Sequence, residues 1–335
     1  MSSARKLELV AARCALCGSG ESEVCARGVD FEYDTSDDVF QMVSCLGCGH
    51  QYLNPRPASS QLDDIYPSNY YSFTGTSNRL VARLQRVWES GKVRLYRELV
   101  GDGERRLLDV GCGNGRLLSL LRDFGDERWE LAGLEFDEGA VKQCRDIGFD
   151  VVSERVEDFA ERDDQRGCYD AVIMLQLIEH VEDPALLCER VYTLLRPGGV
   201  FIIETPNLGG LDYRLFKGRW WGHYHFPRHW NLFSTDALVR MLETRGFEIT
   251  RCEYLISTSS WIISHHNYAK DRDWPRFVQR FFNYQNPILL GLALVMDTLR
   301  TKLGLETSNQ RVVGRKPAAA WEQNRPPPTE AAIPD

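Results

Sequence analysis

No apolar run in this chain reaches the roughly 20 residues needed to cross a bilayer. The candidate, Pro287-Ile-Leu-Leu-Gly-Leu-Ala-Leu-Val-Met296, stops well short of that length. The opening stretch, MSSARKLELVAARC, scatters charges where a secretory leader would need an apolar core, so the expected location is the cytoplasm. Positive charge is not in excess either: the formal net charge is −8 and the pI about 5.5. Bulk attraction to a phosphate backbone is thereby excluded as the main business of the chain, and no nucleic-acid partner is expected. A disulfide framework is also missing, because ten cysteines without a secretion signal read as thiols and metal ligands.

What is present is enough apolar material for one sizeable α/β core and a smaller module: 335 residues, 43% hydrophobic and 11% aromatic. The module comes first. Cys14-x2-Cys17 and Cys45-x2-Cys48 each close on a glycine, Gly18 and Gly49. A CxxC turn presents two thiolates from one tight loop, and two such turns supply the four sulfurs of a tetrahedral zinc site. Four thiolates leave no open coordination position, so the expectation is a structural zinc ribbon over residues 1–57, with Cys14, Cys17, Cys45 and Cys48 as ligands. Residues 24–43 can hold a strand, an acidic loop at 34–38 and a return strand. Asn54-Pro-Arg-Pro57 ends the module in an extended connector.

Residues 58–104 read as a linker with N-terminal helices. A short helix at 61–65 precedes a tyrosine-rich loop containing Tyr71, a candidate cofactor contact, and a long amphipathic helix begins near Asn78, weakened at Gly91. From Arg106 strands and helices alternate at spacings that make βαβ crossovers, and therefore a parallel sheet covered on both faces. The first strand runs into Leu108-Asp109-Val-Gly111-Cys-Gly113-Asn-Gly115, in which glycines permit positive φ and close approach of a ligand to the main chain. Nicotinamide folds favour G-x-G-x-x-G, but the position of the third glycine is Arg116 here.

This glycine stretch resembles motif I of class I S-adenosylmethionine (SAM) dependent methyltransferases, and later segments match in the same order. Glu135, at the end of the second strand, corresponds to the family's acidic residue for the two ribose hydroxyls. Val156-Glu157-Asp-Phe resembles the loop beside the adenine. Leu175-Gln176-Leu-Ile-Glu179-His180 is similar to the segment after strand four, and Leu195-Arg-Pro-Gly-Gly199 to the turn into strand five. The resemblance covers residues 105–255. It implies a Rossmann-like methyltransferase sheet with helices on both faces, a SAM cofactor, and Asp109, Gly111, Gly113, Gly115, Glu135, Val156, Glu157, Leu175, Gln176 and Tyr71 around it. Ubiquinone-biosynthesis O-methyltransferases resemble the same segment but carry an acid where Gln176 stands.

After strand five, the segment Tyr213 to Ser234 interleaves aromatics and arginines with His223, His225 and His229. Such a surface suits a ring, a sugar or a phosphorylated group. His229-x-x-Leu-Phe233-Ser234 is similar to the H-x-x-Y-F-S run of zinc-containing sugar C-methyltransferases, which points to His229 as a candidate base. The family's preceding Tyr-His-Glu is Phe226-Pro227-Arg228 here. His225 and Tyr224 are lesser catalytic candidates, and His180 reads as a packing residue. An aromatic helical insertion at 256–305 is expected to be a lid, a homodimer contact or a peripheral membrane contact. A last core strand follows at 306–317, and a tail at 318–335 is too poor in apolar residues to pack.

The resemblance as a whole implies transfer of a methyl group to a hydroxyl or carbon of a small-molecule acceptor, with sugars and lipid-linked glycans in view. The two other readings are a nicotinamide-dependent oxidoreductase and a non-catalytic SAM-binding scaffold whose zinc module recruits a partner.

Overall fold

The computed structural model describes residues 6–66, 79–283 and 286–318. Tyr71 and the tail from 319 lie outside the described residues. The N-terminal part contains β1 (Leu9–Val10), β2 (Ser22–Gly28), β3 (Phe40–Cys45), β4 (Gln51–Leu53), β5 (Arg56–Pro57) and the single turn α1 (Leu62–Ile65). Helix α2 (Arg79–Val100) leads into the core and runs unbroken through Gly91. A mid-helix glycine costs about 1 kcal/mol, and burial of Val93 and Tyr96 against the large sheet offsets it.

The core then follows in chain order. β6 (Arg105–Val110), α3 (Arg116–Phe124), β7 (Trp129–Leu134), α4 (Glu138–Asp146), β8 (Asp150–Val152) and α5 (Val156–Phe159) form its first half. β9 (Tyr169–Leu175), α6 (Pro184–Leu194), β10 (Leu195–Pro206), α7 (Leu211–Phe216), β11 (Asn231–Leu232), α8 (Thr235–Glu243) and β12 (Glu248–Leu255) form the second. Three further helices, α9 (Thr258–Asp271), α10 (Arg276–Phe281) and α11 (Pro287–Lys302), fill the expected insertion before β13 (Asn309–Arg315).

Seven strands make one sheet in the order β12-β13-β10-β9-β6-β7-β8. Pairings from β10 to β8 are parallel, whereas β13 inserts antiparallel between β10 and β12, so the sheet is mixed where a parallel one was expected. The central strands obey the period of two. Leu108, Val172, Met174, Phe201 and Ile203 pack towards α5, α6 and α8, while Leu107, Ala171, Ile173, Val200 and Ile202 pack towards α2 and α3. Two helical layers thus bury both faces, the requirement for a parallel centre.

The smaller sheet holds a result that the motifs do not announce. Its order is β11-β4-β3-β2, so its fourth strand comes from residues 231–232, far along the chain. Its core joins Phe40, Met42 and Leu53 of the module to Trp221, Tyr224, Phe226, Trp230 and Leu232 of the aromatic segment. The aromatics expected to border an acceptor therefore spend much of their surface welding the cysteine module to the rest of the chain.

Candidate functional site

The two CxxC turns converge. Gly18 and Gly49 each have positive φ (74° and 76°), and each donates its N–H to the carbonyl of the first cysteine of its turn at 2.8 Å. The four Sγ atoms of Cys14, Cys17, Cys45 and Cys48 lie within 4.8 Å of one another, with Cys14–Cys48 at 3.5 Å and Cys17–Cys45 at 3.4 Å. A disulfide needs about 2.05 Å. Tetrahedral zinc with sulfur at about 2.3 Å sets sulfurs about 3.8 Å apart, so the donor set fits zinc closely. Cys25 and His50 point elsewhere: Cys25 Sγ lies 3.3 Å from the Met42 carbonyl, and His50 Nε2 lies 3.0 Å from Asn231 Oδ1.

At the carboxyl end of β6, the three glycines all take positive φ but serve different ends. A Cβ on Gly111 would stand 2.9 Å from Leu177 Cδ2, and one on Gly115 would stand 3.0 Å from Cys144 Sγ. Those two glycines admit protein packing. Only Gly113 faces open space, with nothing within 4 Å of an added Cβ. Its N–H donates to Glu135 Oε2 at 2.8 Å, while Glu135 Oε1 accepts from the N–H groups of Phe136 (2.7 Å) and Asp137 (3.0 Å). A carboxylate offers about four lone-pair directions, so one remains for a ligand hydroxyl without rearrangement. Asp109 is buried beneath the loop, and burial, reinforced by the nearby Glu135 charge, pushes its carboxyl up to about 7. Two acids sharing one recess favour a cation between them.

The segment after β9 links this recess to the histidines. Leu177 packs on Gly111, and three residues further His180 lies edge-on to His229, with ring centroids 4.6 Å apart. His225 approaches the same ring at 4.9 Å and His223 at 6.3 Å. His229 Nδ1 lies 2.7 Å from the His223 carbonyl, which can only accept, so Nδ1 carries the proton and Nε2 is left with its lone pair. By the same logic His180 Nδ1 donates to the Arg228 carbonyl at 3.1 Å, with the Tyr66 hydroxyl also at 2.9 Å. Burial lowers these rings: His229 falls well below its ordinary value, with the neighbouring histidines adding to the effect, His180 falls to about 3 and His223 to about 4. All three are neutral at physiological pH.

Glu179 completes the group. Its carboxyl is fully buried and pushed up to about 8 by desolvation. One oxygen accepts from the Thr205 hydroxyl at 2.9 Å, and the other has no hydrogen-bond partner among the described residues. Donor atoms of Glu179, His180 and His229 lie within 4.8 Å of one another, a set also able to hold a cation.

With this geometry in place, comparison with known proteins is decisive at the level of the family. The methyltransferase-domain family matches residues 79–251. The chain belongs to this methyltransferase family. A protein of Mycolicibacterium smegmatis named as a probable S-adenosylmethionine-dependent methyltransferase is 32% identical over 149 residues, 43% of this chain and 52% of that protein. The ubiquinone biosynthesis O-methyltransferase of Ruegeria pomeroyi is 30% identical over 173 residues, 47% of this chain and 65% of its own length. The chain thus spans about half the length of the curated relatives it matches. A SAM-dependent methyltransferase structure from Archaeoglobus fulgidus aligns over 71% of this chain and 100% of that one, at 18% identity and a TM-score of 0.46.

Family membership favours the methyltransferase over the nicotinamide-dependent alternative, and the recess fits the family's cofactor on its own chemistry. SAM carries an ammonium and a sulfonium, whose positive charge the buried acid Asp109 would favour, and ribose hydroxyls, one of which Glu135 would accept, while Gly113 leaves the main chain open to approach. Leu175 ends β9 and Gln176 follows it. Gln176 takes φ 52° and donates from Nε2 to Asn309 Oδ1 at 3.1 Å. Val156 packs in the hydrophobic core, and Glu157 stands half-buried beside it on α5. Tyr224 differs most from expectation. It is buried among Tyr213, Trp221 and Phe226, its hydroxyl accepts from the Gly218 N–H at 3.1 Å, and burial pushes its pKa far up. A phenol held that way is a core residue, unsuited to proton exchange.

Two residues escaped the sequence reading. Asp30 and Arg228, both fully buried at the side chain, form a two-bond ion pair at 3.1 and 2.8 Å between the cysteine module and the histidine segment. Despite burial, Arg228 holds the Asp30 carboxyl down at about 2, so this stabilisation is present above the ordinary carboxylate pKa and is lost only as pH falls through that value. Their separation in sequence leaves no local signal.

Proposed function

We propose that the chain is a SAM-dependent methyltransferase that methylates a hydroxyl or carbon of a small acceptor, with His229 as the base. The observation supporting this reading is the segment that runs from Leu177, packed on Gly111 of the glycine loop, to His180, whose ring meets the neutral His229 ring. Bound SAM would supply an electrophilic methyl on a sulfonium, leaving as the neutral thioether S-adenosylhomocysteine. The chain's own residues then have three tasks. Glu135 accepts a ribose hydroxyl, the buried walls exclude water, and His229 Nε2 takes the proton that an acceptor hydroxyl loses as it forms the new bond. A hydroxyl acceptor is favoured by the O-methyltransferase relatives.

Calorimetry with SAM and S-adenosylhomocysteine tests the cofactor, and a screen of phenols, nucleotide sugars and lipid-linked glycans with labelled SAM tests the acceptor. Absence of binding to both cofactor forms would sink the proposal. Glu135→Ala is expected to weaken both by roughly tenfold to a hundredfold, since a polar group left without its partner costs about 1–3 kcal/mol. Unchanged affinity in that variant would remove Glu135 from the cofactor site.

The same proposal extends to the helical insertion, as a surface that rests on an anionic membrane. Helix α11 is inverted: Asp297 faces inward, accepting from the Ser257 N–H at 2.7 Å and from Trp261 Nε1 at 3.0 Å. Ile288, Leu292, Val295 and Leu299 face solvent, each more than half exposed, with Phe277 of α10 nearby in sequence at 75%. Arg272, Arg276, Arg280 and Lys302 are exposed on the same stretch, against Asp273 as the exposed acid. Apposing two copies of this basic stretch would set like charges together, whereas an anionic bilayer complements them. No helix among the described residues is long and apolar enough to cross a membrane. The full chain should sediment with vesicles of phosphatidylcholine and phosphatidylglycerol but far less with phosphatidylcholine alone, and Leu292→Asp with Val295→Asp should abolish this while SAM binding persists. A concentration-dependent dimer lost in the same variant would assign the face to a second copy instead.

A further inference from the structure

The cysteine module sends one more side chain to the histidines than its structural role requires. Glu32 Oε1 lies 2.6 Å from His225 Nδ1, and because a carboxylate only accepts, Nδ1 is the donor. His225 is buried and sits at φ 39°, a left-handed conformation that a residue with a Cβ adopts only when its surroundings impose it. Its ring lies 4.9 Å from His229 on one side and 6.1 Å from Tyr33, edge-on, on another.

The loop that delivers Glu32 is held from both flanks. Asp30 accepts from the N–H groups of Tyr33 (3.0 Å) and Thr35 (2.9 Å) while pairing with Arg228, and Lys270 Nζ on α9 donates to the Phe31 carbonyl at 2.8 Å. The weld between module and core is thus already made by Asp30–Arg228, by β4–β11 pairing and by the shared aromatic core. Glu32 is left free for another task.

We infer that Glu32 is a positioning residue for the methyltransferase reaction: the module's carboxylate fixes the tautomer and rotation of His225, which in turn packs the His229 ring so that Nε2 faces the acceptor. This rests on the reading of His229 as base. No bond is made or broken by Glu32 itself. Reach towards the histidines also gives the module a purpose beyond scaffolding, since the loop that carries Glu32 joins its strands β2 and β3.

The test uses the full chain loaded with zinc and S-adenosylhomocysteine, labelled with nitrogen-15 in histidine, and compares wild type with Glu32→Ala and Glu32→Gln. Wild type should show His225 protonated at Nδ1. Glu32→Ala should change the ring signals of both His225 and His229, with zinc content and thermal midpoint held, and lower kcat at least tenfold for the acceptor identified by the labelled-SAM screen, with KM for SAM unchanged. Glu32→Gln, whose amide oxygen still accepts, should restore the tautomer and most of the rate. Unaltered His229 signals in Glu32→Ala, or changes that appear only together with zinc loss and a lower midpoint, overturn the inference. A His229→Ala variant run in parallel separates the two readings: if it keeps wild-type turnover the base assignment fails, whereas the ring signals judge Glu32 by themselves.

Discussion

His229→Ala is expected to lower turnover by about 10²–10⁴-fold, the usual contribution of a positioned base, while SAM affinity stays near that of the wild type. The separation follows from position: the recess proposed for the cofactor lies at the ends of β6 and β7, while His229 touches the 175–180 segment through His180. Its proton is pinned on Nδ1 by the His223 carbonyl, and its pKa is driven down by burial, so the lone pair on Nε2 is available throughout the physiological range. It follows that, with SAM saturating, His229 itself should contribute no loss of rate near the ordinary histidine pKa of about 6.5. Because His229 is buried, alanine also leaves a hole. His229→Gln fills more of that space and should be as inactive, which separates the missing base from a collapsed loop. Labelled methyl transfer and calorimetry on the same samples make the measurement. Parallel loss of SAM binding would assign His229 a structural role.

Loss of zinc should have the larger effect on structure. A structural zinc site contributes on the order of 10 kcal/mol to folding, and Cys45→Ser removes one of four ligands from a site whose sulfurs already converge. The consequence should not stop at the module. Trp221, Phe226, Trp230 and Leu232 share its core, β11 is hydrogen-bonded to β4, and Arg228 depends on Asp30. Trp221 meets His223, Phe226 follows His225, and Arg228 and Trp230 flank His229, so turnover should vanish with the metal. SAM affinity should survive, because the glycine loop belongs to the seven-stranded sheet. Wild type should hold one zinc per chain. Near-ultraviolet circular dichroism should lose the part of its tryptophan signal that comes from Trp221 and Trp230 in Cys45→Ser and after chelation. An unchanged spectrum and rate in metal-free protein would sink the ribbon.

The divergent catalytic candidates show where reading residues in a row runs out. His225 and Tyr224 are neighbours in sequence, yet one ring reaches His229 while the other lies in the aromatic core with its hydroxyl on a backbone N–H. The left-handed turn at His225 separates them, and nothing in the residue types requires it. The three glycines of motif I make the same point from the other side. All needed positive φ, but which of them faces a ligand depends on Leu177 and Cys144, contributed by other segments.

What the chain itself determines is whatever depends on near neighbours: strands and helices from apolar periodicity, the turns that set paired thiolates in one loop, the glycine-rich corner after β6, and the acid one βα unit later. These are local rules of dihedral angle and spacing. Tertiary structure alone decided that β11 completes the module's sheet, that β13 enters antiparallel, that Asp30 closes on Arg228, and that Glu32 meets His225. Each of those pairings joins groups far apart in sequence. Its strength comes from removing both partners from water together, and that occurs only once the whole chain has folded.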